Sequence, residues 1–360
     1  MGQGNSNTVS EAKDDIEKEE PVDPPPPPPP PTDQLVLHGI RWPSHIRSEA
    51  QINAFRAVPC LSDDVFVAAY PRCGTHWVHK LCQLILKREA FDWPMEFNEW
   101  EKGLEWQGKG AGKGGIKHEE IPTPRILSTH SPLDFLPKEA ESKGCRIIYV
   151  VREPKDVLIS SHLFAEMNPF MEAPESLDLD IDRFVAEASA DPVVATEGGG
   201  VLGGYAHHVL EYVKAARAGR NVHLMSYDRL HVQTDAEISS LAMFLGVTLS
   251  DDEVTSIRKQ ASFDVMKEEA KSKDEELSGW FNGVESKDGK GWSDMIWRGG
   301  RQGDGEKNLS PEQAMRIDEA YSPAFEAVKD VFEVFPSSPS FARLRGAASC
   351  CCTSRSTNIK

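Results

Sequence analysis

Four short runs constrain this chain most: Val65 to Tyr70, Arg125 to Thr129, Arg146 to Val151 and Val222 to Tyr227. Each is β-branched or aromatic along its length, with little of the apolar–polar alternation of a half-exposed strand, and such runs suit strands covered on both faces. Stretches with helical periodicity lie between and after them, among them Trp77 to Lys87, Asp182 to Ala190, Tyr205 to Ala216 and Ala236 to Phe244. Strands alternating with helices predict an α/β fold, a single domain with a central parallel sheet flanked by helices. In such sheets ligands gather beyond the carboxyl ends of the strands, so the residues that follow each run are the first candidates for chemistry.

Charge narrows the function. Lys and Arg number 40 against 57 Asp and Glu, a formal charge of −17, and no basic footprint for a nucleic-acid backbone is visible. No run approaches the ~20 apolar residues of a spanning helix, and none follows Met1 as a signal peptide requires. The expectation is a cytoplasmic protein. Residues 1–33 carry eight acids, two lysines and the proline run Pro24 to Pro31, which predicts a disordered tail with a polyproline rod, a linker or a bait for a partner that binds proline-rich motifs. Residues 34–340 are then the folded domain, and 341–360 a basic tail with Arg343, Arg345, Arg355 and Lys360. MGQGNS matches the myristoylation pattern at Gly2; Cys350, Cys351 and Cys352 read either as part of a frayed terminus or as S-acylation sites, which with Gly2 would make a membrane tether. Cys60, Cys73, Cys82 and Cys145 have neither CxxC spacing nor a nearby His pair, so neither a zinc site nor a disulfide framework is indicated.

The first run continues into YPRCGTHW, Tyr70 to Trp77. Pro71 stops the strand, Gly74 permits a tight turn and Thr75 and His76 open a helix, so backbone N–H groups converge on an anion beside Arg72. The spacing GxxxxGK[ST] of ATPases is absent; GKGAGKG, Gly108 to Gly114, lacks a following Ser or Thr and reads as a loop. The third run ends in VVREPKDVLISS, where Arg152 leaves the strand and Ser160 falls about two turns into the next helix. These two could clamp one phosphate, or Arg152 could pair with Glu153 or Asp156. WRGGRQGDG, Trp297 to Gly305, is a glycine-rich loop with Arg298 and Arg301, which taken alone reads as a solvated loop. His130 sits just past the second run, held by Pro132; a single His is usually structural, but this one shares the sheet edge with the phosphate-binding candidates.

Taken together these segments resemble the cytosolic sulfotransferase family over roughly residues 38–325. YPRCGTHW is similar to its 5′-phosphosulfate loop, which places Arg72, Cys73, Gly74, Thr75, His76 and Trp77 around the donor. RIIYVVREPKDVLISSHLF resembles its 3′-phosphate segment, with Arg152 and Ser160 on the phosphate. STHSPLDFLP resembles the segment of the catalytic histidine, which makes His130 the general base. VHLMSYDRL gives Tyr227 a nucleotide contact, ASFDVMKEE puts Ser262 and Phe263 in the adenosine pocket, and WRGGRQGD returns Arg298, Gly299 and Gly300 to the 3′-phosphate.

The resemblance implies a sulfotransferase fold related to P-loop nucleotide kinases. It implies 3′-phosphoadenosine 5′-phosphosulfate as donor, no metal, and a small-molecule hydroxyl or amine as acceptor, with Arg72 stabilising the leaving group, His130 taking the acceptor's proton and Trp77 stacking on adenine. The chain departs from the pattern at Arg72, where the family has lysine, at Cys73 and His76, at Gly299, and at Ser128, where a family lysine approaches the sulfate. These departures keep a second reading beside the enzyme: a catalytically weak nucleotide-binding scaffold. The family's dimer motif is not recognisable around Ser310 and Pro311, which leaves the dimer open. The segment Glu101 to Lys117 stands where the family has a substrate-covering loop.

Overall fold

The computed structural model describes residues 1, 35–43, 46, 48–87, 123–168, 171, 175–188, 201–272, 287, 289 and 291–326. Gly2, the proline run, the segment Glu101 to Lys117 and Cys350 to Cys352 lie outside the described residues.

A small antiparallel hairpin comes first, β1 (Val36–Leu37) and β2 (Ile40–Arg41). The turn residues His38 and Gly39 both have positive φ, 54° and 72°, the signature of the tight turn whose twist matches that of a hairpin. The anticipated sheet follows as β3 (Val65–Ala69), β4 (Ile126–Thr129), β5 (Arg146–Val151) and β6 (Val222–Ser226), all parallel, in the spatial order β4-β3-β5-β6. From β3 the chain passes to one neighbour, β4, and then crosses to the other, β5. That reversal opens a crevice above the carboxyl end of β3, where Tyr70 leads into the Gly74 turn.

All five residues of β3 and all four of β4 are buried, as strands covered on both faces require. Helices Thr75–Ile85 and Thr234–Phe244 pack against each other beside the sheet, and Tyr205–Arg217 and Pro154–Met167 complete its cover. At the amino end of the sheet Arg125 donates to both carboxylate oxygens of Asp64, from Nε at 2.7 Å and from Nη2 at 2.5 Å. Both residues are buried, so this pair ties the start of β4 to the start of β3.

Two boundaries differ from those expected. Tyr227, read as the end of a strand, opens the short helix Tyr227–Val232, because the Ser226 hydroxyl accepts from Arg229 N–H at 3.3 Å and caps it. The helix expected from Asp182 spans Leu177–Ala186, started by Ser176, whose hydroxyl accepts from Leu179 N–H at 3.2 Å. In both places a capping serine outweighs apolar periodicity.

Glu187, just after that helix, is buried with Tyr70 O–H at 3.4 Å. Burial pushes its carboxyl up to about 8, against the opposing effects of Tyr70 and Arg41. The folded chain therefore keeps a proton that the unfolded chain has lost, so this group's contribution falls as pH rises from about 4.5 through about 8. Chemical denaturation at pH 5 and pH 9 should show a smaller pH slope in Glu187→Gln than in the wild type; an unchanged slope would contradict the assignment.

Candidate active site

The site is built on the loops that leave the four parallel strands. After β3, Arg72 takes a positive φ of 70° and Gly74, at 99°, caps the helix Thr75–Ile85. The N–H groups of Trp77 and Val78 turn back to Gly74 O, while the first amides of a helix have no acceptor inside it. Gly74 is fixed by a close approach: a Cβ there would lie 2.4 Å from Cδ2 of Tyr227. Gly74→Ala should cost at least about 1–3 kcal/mol in backbone strain alone and displace the Tyr227 ring, read as a lower thermal midpoint together with weaker binding of an anionic ligand at the turn. A wild-type value in both would contradict a constraint on Gly74 from the Tyr227 ring.

Three arginines converge above the sheet edge. Arg152 is buried, its guanidinium 4.4 Å from the centroid of the Tyr227 ring; Nη1 donates to Arg72 O at 3.0 Å and Nη2 to Arg301 O at 3.1 Å. Asp156 lies 3.6 Å away, so the ion pair anticipated as an alternative is present alongside these bonds. Arg72 is half-buried, with Nε donating to Ser160 Oγ at 3.2 Å, Nη2 3.5 Å from Ile296 O, and the guanidinium 4.4 Å from the Phe164 ring centroid. Ser160 thus meets Arg72 rather than Arg152. Arg298 pairs with Asp304 at 3.2 Å.

The charge balance of the cluster is informative. Among the described residues no carboxylate pairs with Arg72, and burial followed by repulsion from Arg152 and Arg298 lowers it to about 10. Arg152 Nε is buried with no hydrogen-bond partner among the described residues. A cationic cluster short of anions, beside a helix start, is a site for an anionic ligand.

The glycine-rich loop after Trp297 is pinned, not loosely solvated. Asp156 accepts from Gly303 N–H at 2.9 Å and Gly305 N–H at 2.7 Å, and Gln302 Nε2 donates to Asp228 O at 2.8 Å. Gly300 has a φ of 56°, and a Cβ on it would fall 2.0 Å from Phe263 Cδ2. Gly299 beside it is half-buried. Phe263, Trp77 and Ile296 pack on an apolar group of Met266, Ala270 and Trp297. Trp77 stands edge-on to Tyr227 at 5.6 Å and lies 4.7 Å from the His231 ring. Ser262 precedes this wall as the cap residue of helix Phe263–Lys271, but its side chain makes no cap bond. Cys73 is buried, and burial pushes its thiol up to about 12, so it holds no negative charge against the arginines.

His130 leaves β4 on the same edge. Its Nδ1 lies 2.8 Å from Ala69 O, and a carbonyl only accepts, so Nδ1 carries the hydrogen and Nε2 keeps the lone pair. Behind it, His208 Nε2 donates to His130 O at 3.0 Å while Tyr149 O–H donates to His208 Nδ1 at 2.7 Å. His208 is buried and lowered to about 4 by that burial, which keeps it neutral. His76, lowered by burial, then by Arg72 and then by His130, is within electrostatic reach of both the arginine cluster and the candidate base.

Sequence reasoning missed three supporting residues. Tyr205 O–H bonds both the N–H and the carbonyl of Arg152, and His208 holds the His130 backbone. His79, one turn along the helix from Thr75, bonds Ser128 Oγ at 2.8 Å, both buried, so the departure at Ser128 is one half of a buried polar pair. Only the second histidine of His207-His208 carried any signal, falling on the apolar face of a periodic stretch.

Comparison with known proteins decides the family. The family model described as a sulfotransferase domain matches residues 62–331. The chain belongs to the sulfotransferase family. As a sulfotransferase it is an enzyme of sulfuryl transfer. It is 28% identical over 306 residues to sulfotransferase 2A1 of Macaca fascicularis, covering 84% of this chain and 98% of that protein. It is also 28% identical over 235 residues to a 3-beta-hydroxysteroid sulfotransferase of Cavia porcellus, 65% of this chain and 77% of that one. Its fold is similar to that of mouse sulfotransferase SULT7A1, solved with PAP, with a TM-score of 0.61 at 21% identity, covering 88% of this chain and 99% of that chain. No helix among the described residues is long and apolar enough to cross a membrane.

Proposed function

We propose that this sulfotransferase moves the sulfuryl group of 3′-phosphoadenosine 5′-phosphosulfate to a hydroxyl of a small lipophilic acceptor, with the folded unit 34–340 as the transfer domain. The observation that carries the reading is the arginine cluster: among the described residues Arg72 has no carboxylate partner and Arg152 an unsatisfied buried donor, both beside the Gly74 helix start. A nucleotide with phosphates at both ends of its ribose supplies the missing anions. Arg152, Ser160 and the Arg298–Gly300 loop would hold the 3′-phosphate; Arg72 and the amides of Gly74 to His76 would hold the 5′ side. Trp77, Tyr227, Ser262 and Phe263 supply the wall for adenine.

Transfer in line from phosphate to oxygen builds charge on the bridging oxygen, which fixed donors stabilise best in a site from which water is excluded. Arg72 is the residue for this task. Its guanidinium brings charge and directed N–H donors but, unlike lysine, serves poorly as a proton donor. His130 takes the acceptor's proton at Nε2, since the Ala69 carbonyl commits Nδ1 as a donor. His76 and His208, both lowered by burial, lie beside it as neutral groups, and the Ala69 carbonyl sets its tautomer.

The acceptor class rests on likeness: relatives are named for hydroxysteroids, and retinol dehydratase, whose fold is similar, was solved with androsterone and with retinol. A radiolabelled-donor assay against steroids, retinoids, phenols, simple alcohols and amines tests this. Label is expected in the ester of a lipophilic alcohol. An inert panel, with the nucleotide product still bound, would instead favour the scaffold reading, in which Arg72, held by Ser160, Ile296 and Phe164, binds the donor without promoting transfer.

A further inference from the structure

Beneath the opposite end of the sheet lies a cluster that the transfer reaction does not use. Cys60, in the loop before β3, and Cys145, immediately before β5, are 3% and 2% exposed. They stand 85 residues apart in the chain, yet their sulfurs and an Asp64 carboxylate oxygen all lie within 4.8 Å of one another. The chain path makes the contact: Cys145 Sγ donates to Leu61 O at 3.2 Å, the residue after Cys60, and Arg146 N–H bonds Asp64 O at 3.0 Å.

Two thiols and a carboxylate suggest a soft cation, but the carboxylate is already committed. Both Asp64 oxygens accept from Arg125, and one also accepts from Leu61 N–H at 2.8 Å. Among the described residues a cation would have two thiolates, no uncommitted third ligand and a guanidinium at close range, fewer than the four ligands of a structural zinc site. What remains is a dithiol.

We propose that Cys60 and Cys145 are a peroxide-sensitive pair that closes into an intramolecular disulfide in the folded protein. The Cys145 thiolate attacks hydrogen peroxide or a small alkyl hydroperoxide, the O–O bond breaks, and Cys145 sulfenic acid and hydroxide (or alkoxide) form. Cys60 sulfur then displaces the sulfenic oxygen, forming the S–S bond and releasing water; the two thiol protons end in the two leaving oxygens. In sum the pair loses two electrons and the peroxide gains them.

The surroundings favour this order. The hydrogen bond from Cys60 lowers the Cys145 thiol below its ordinary value against the opposing effect of burial, whereas Cys60, Cys73 and Cys82 are all raised. Both cysteines lie in irregular chain, next to exposed residues: Pro59, Leu61 and Ser62 around one, Glu141 to Gly144 before the other. The exposed neighbours bring a small oxidant close to the pair, and closing the bond requires the sulfurs to approach from within 4.8 Å to about 2.05 Å. Because the pair sits at the amino ends of β3 and β5, the bond staples the sheet at the end away from His130.

The test is to expose the full chain, folded, to one equivalent of hydrogen peroxide, block free thiols, digest without reduction and map linked peptides by mass spectrometry. One Cys60–Cys145 linked peptide is expected, reversed by reductant, replaced by scrambled links when the chain is oxidised in urea, and accompanied by a raised thermal midpoint. Recovery of both cysteines as blocked free thiols, or links only to Cys73, Cys82 or Cys350 to Cys352, would overturn the proposal. Cys145→Ala and Cys60→Ala should each abolish the link; because the wild-type map decides the matter, a poorly folding variant does not protect the idea.

Discussion

Replacing His130 with alanine should lower kcat by about 10²- to 10⁴-fold while leaving affinity for the nucleotide product within a few-fold of wild type. The asymmetry follows from where the ring is held. His130 is fixed through Nδ1 to the carbonyl of Ala69 and follows β4, whereas the arginines and glycine turns arise from β3, β5 and the segment after Trp297. Removing the imidazole takes away the proposed proton acceptor and leaves the Arg152 contacts with Arg72 O, Arg301 O and Tyr227 in place. Steady-state transfer together with calorimetric binding separates the two readouts. A variant that keeps kcat would remove His130 from the reaction; one that loses binding in parallel would make it a structural residue.

Arg152→Ala should do the reverse, destroying binding first. Arg152 bridges two loops and stacks on Tyr227, so its removal withdraws the proposed phosphate-binding donor and unties the Arg72 and Arg301 carbonyls at once. Loss of one partner from a buried charged contact costs about 2–5 kcal/mol, roughly 30- to 5,000-fold in Kd. Arg152→Lys should recover only part of it, since one ammonium cannot span two carbonyls and a ring as a planar fork does. Binding of the nucleotide product, measured at fixed salt, reads both variants. Equal affinity in Arg152→Ala and wild type would place the 3′-phosphate elsewhere.

The sheet was legible because its strands are continuous apolar runs, and the position of β3, β4, β5 and β6 in the chain follows from them within a residue or so. The site was legible because its parts are short turns with restrictive residues: Gly74 must accept a φ of 99°, Gly300 must let Phe263 approach, and Pro154 must start a helix directly after Arg152. What escaped reading depends on contacts made across the fold. That Ser160 faces Arg72 instead of Arg152, that Tyr205 clamps Arg152, and that His79 meets Ser128 are consequences of how helices lie against the sheet, 88, 53 and 49 residues apart in sequence. The thiols of Cys60 and Cys145 escaped for the same reason. The acidity of the chain as a whole likewise concealed a local cluster of Arg72, Arg152 and Arg298, in which burial first and mutual repulsion second lower Arg72.

A single-turnover experiment bears most directly on the central claim, that this arginine-lined turn and His130 together perform sulfuryl transfer. Enzyme in excess over radiolabelled 3′-phosphoadenosine 5′-phosphosulfate is mixed with a lipophilic alcohol, quenched at intervals and separated into donor and ester. The predicted result is label passing to the ester in wild type, only when acceptor is present, and remaining in bound donor in His130→Ala. Donor that stays bound and unspent in wild type across the acceptor panel, or ester formed equally by His130→Ala, would contradict it.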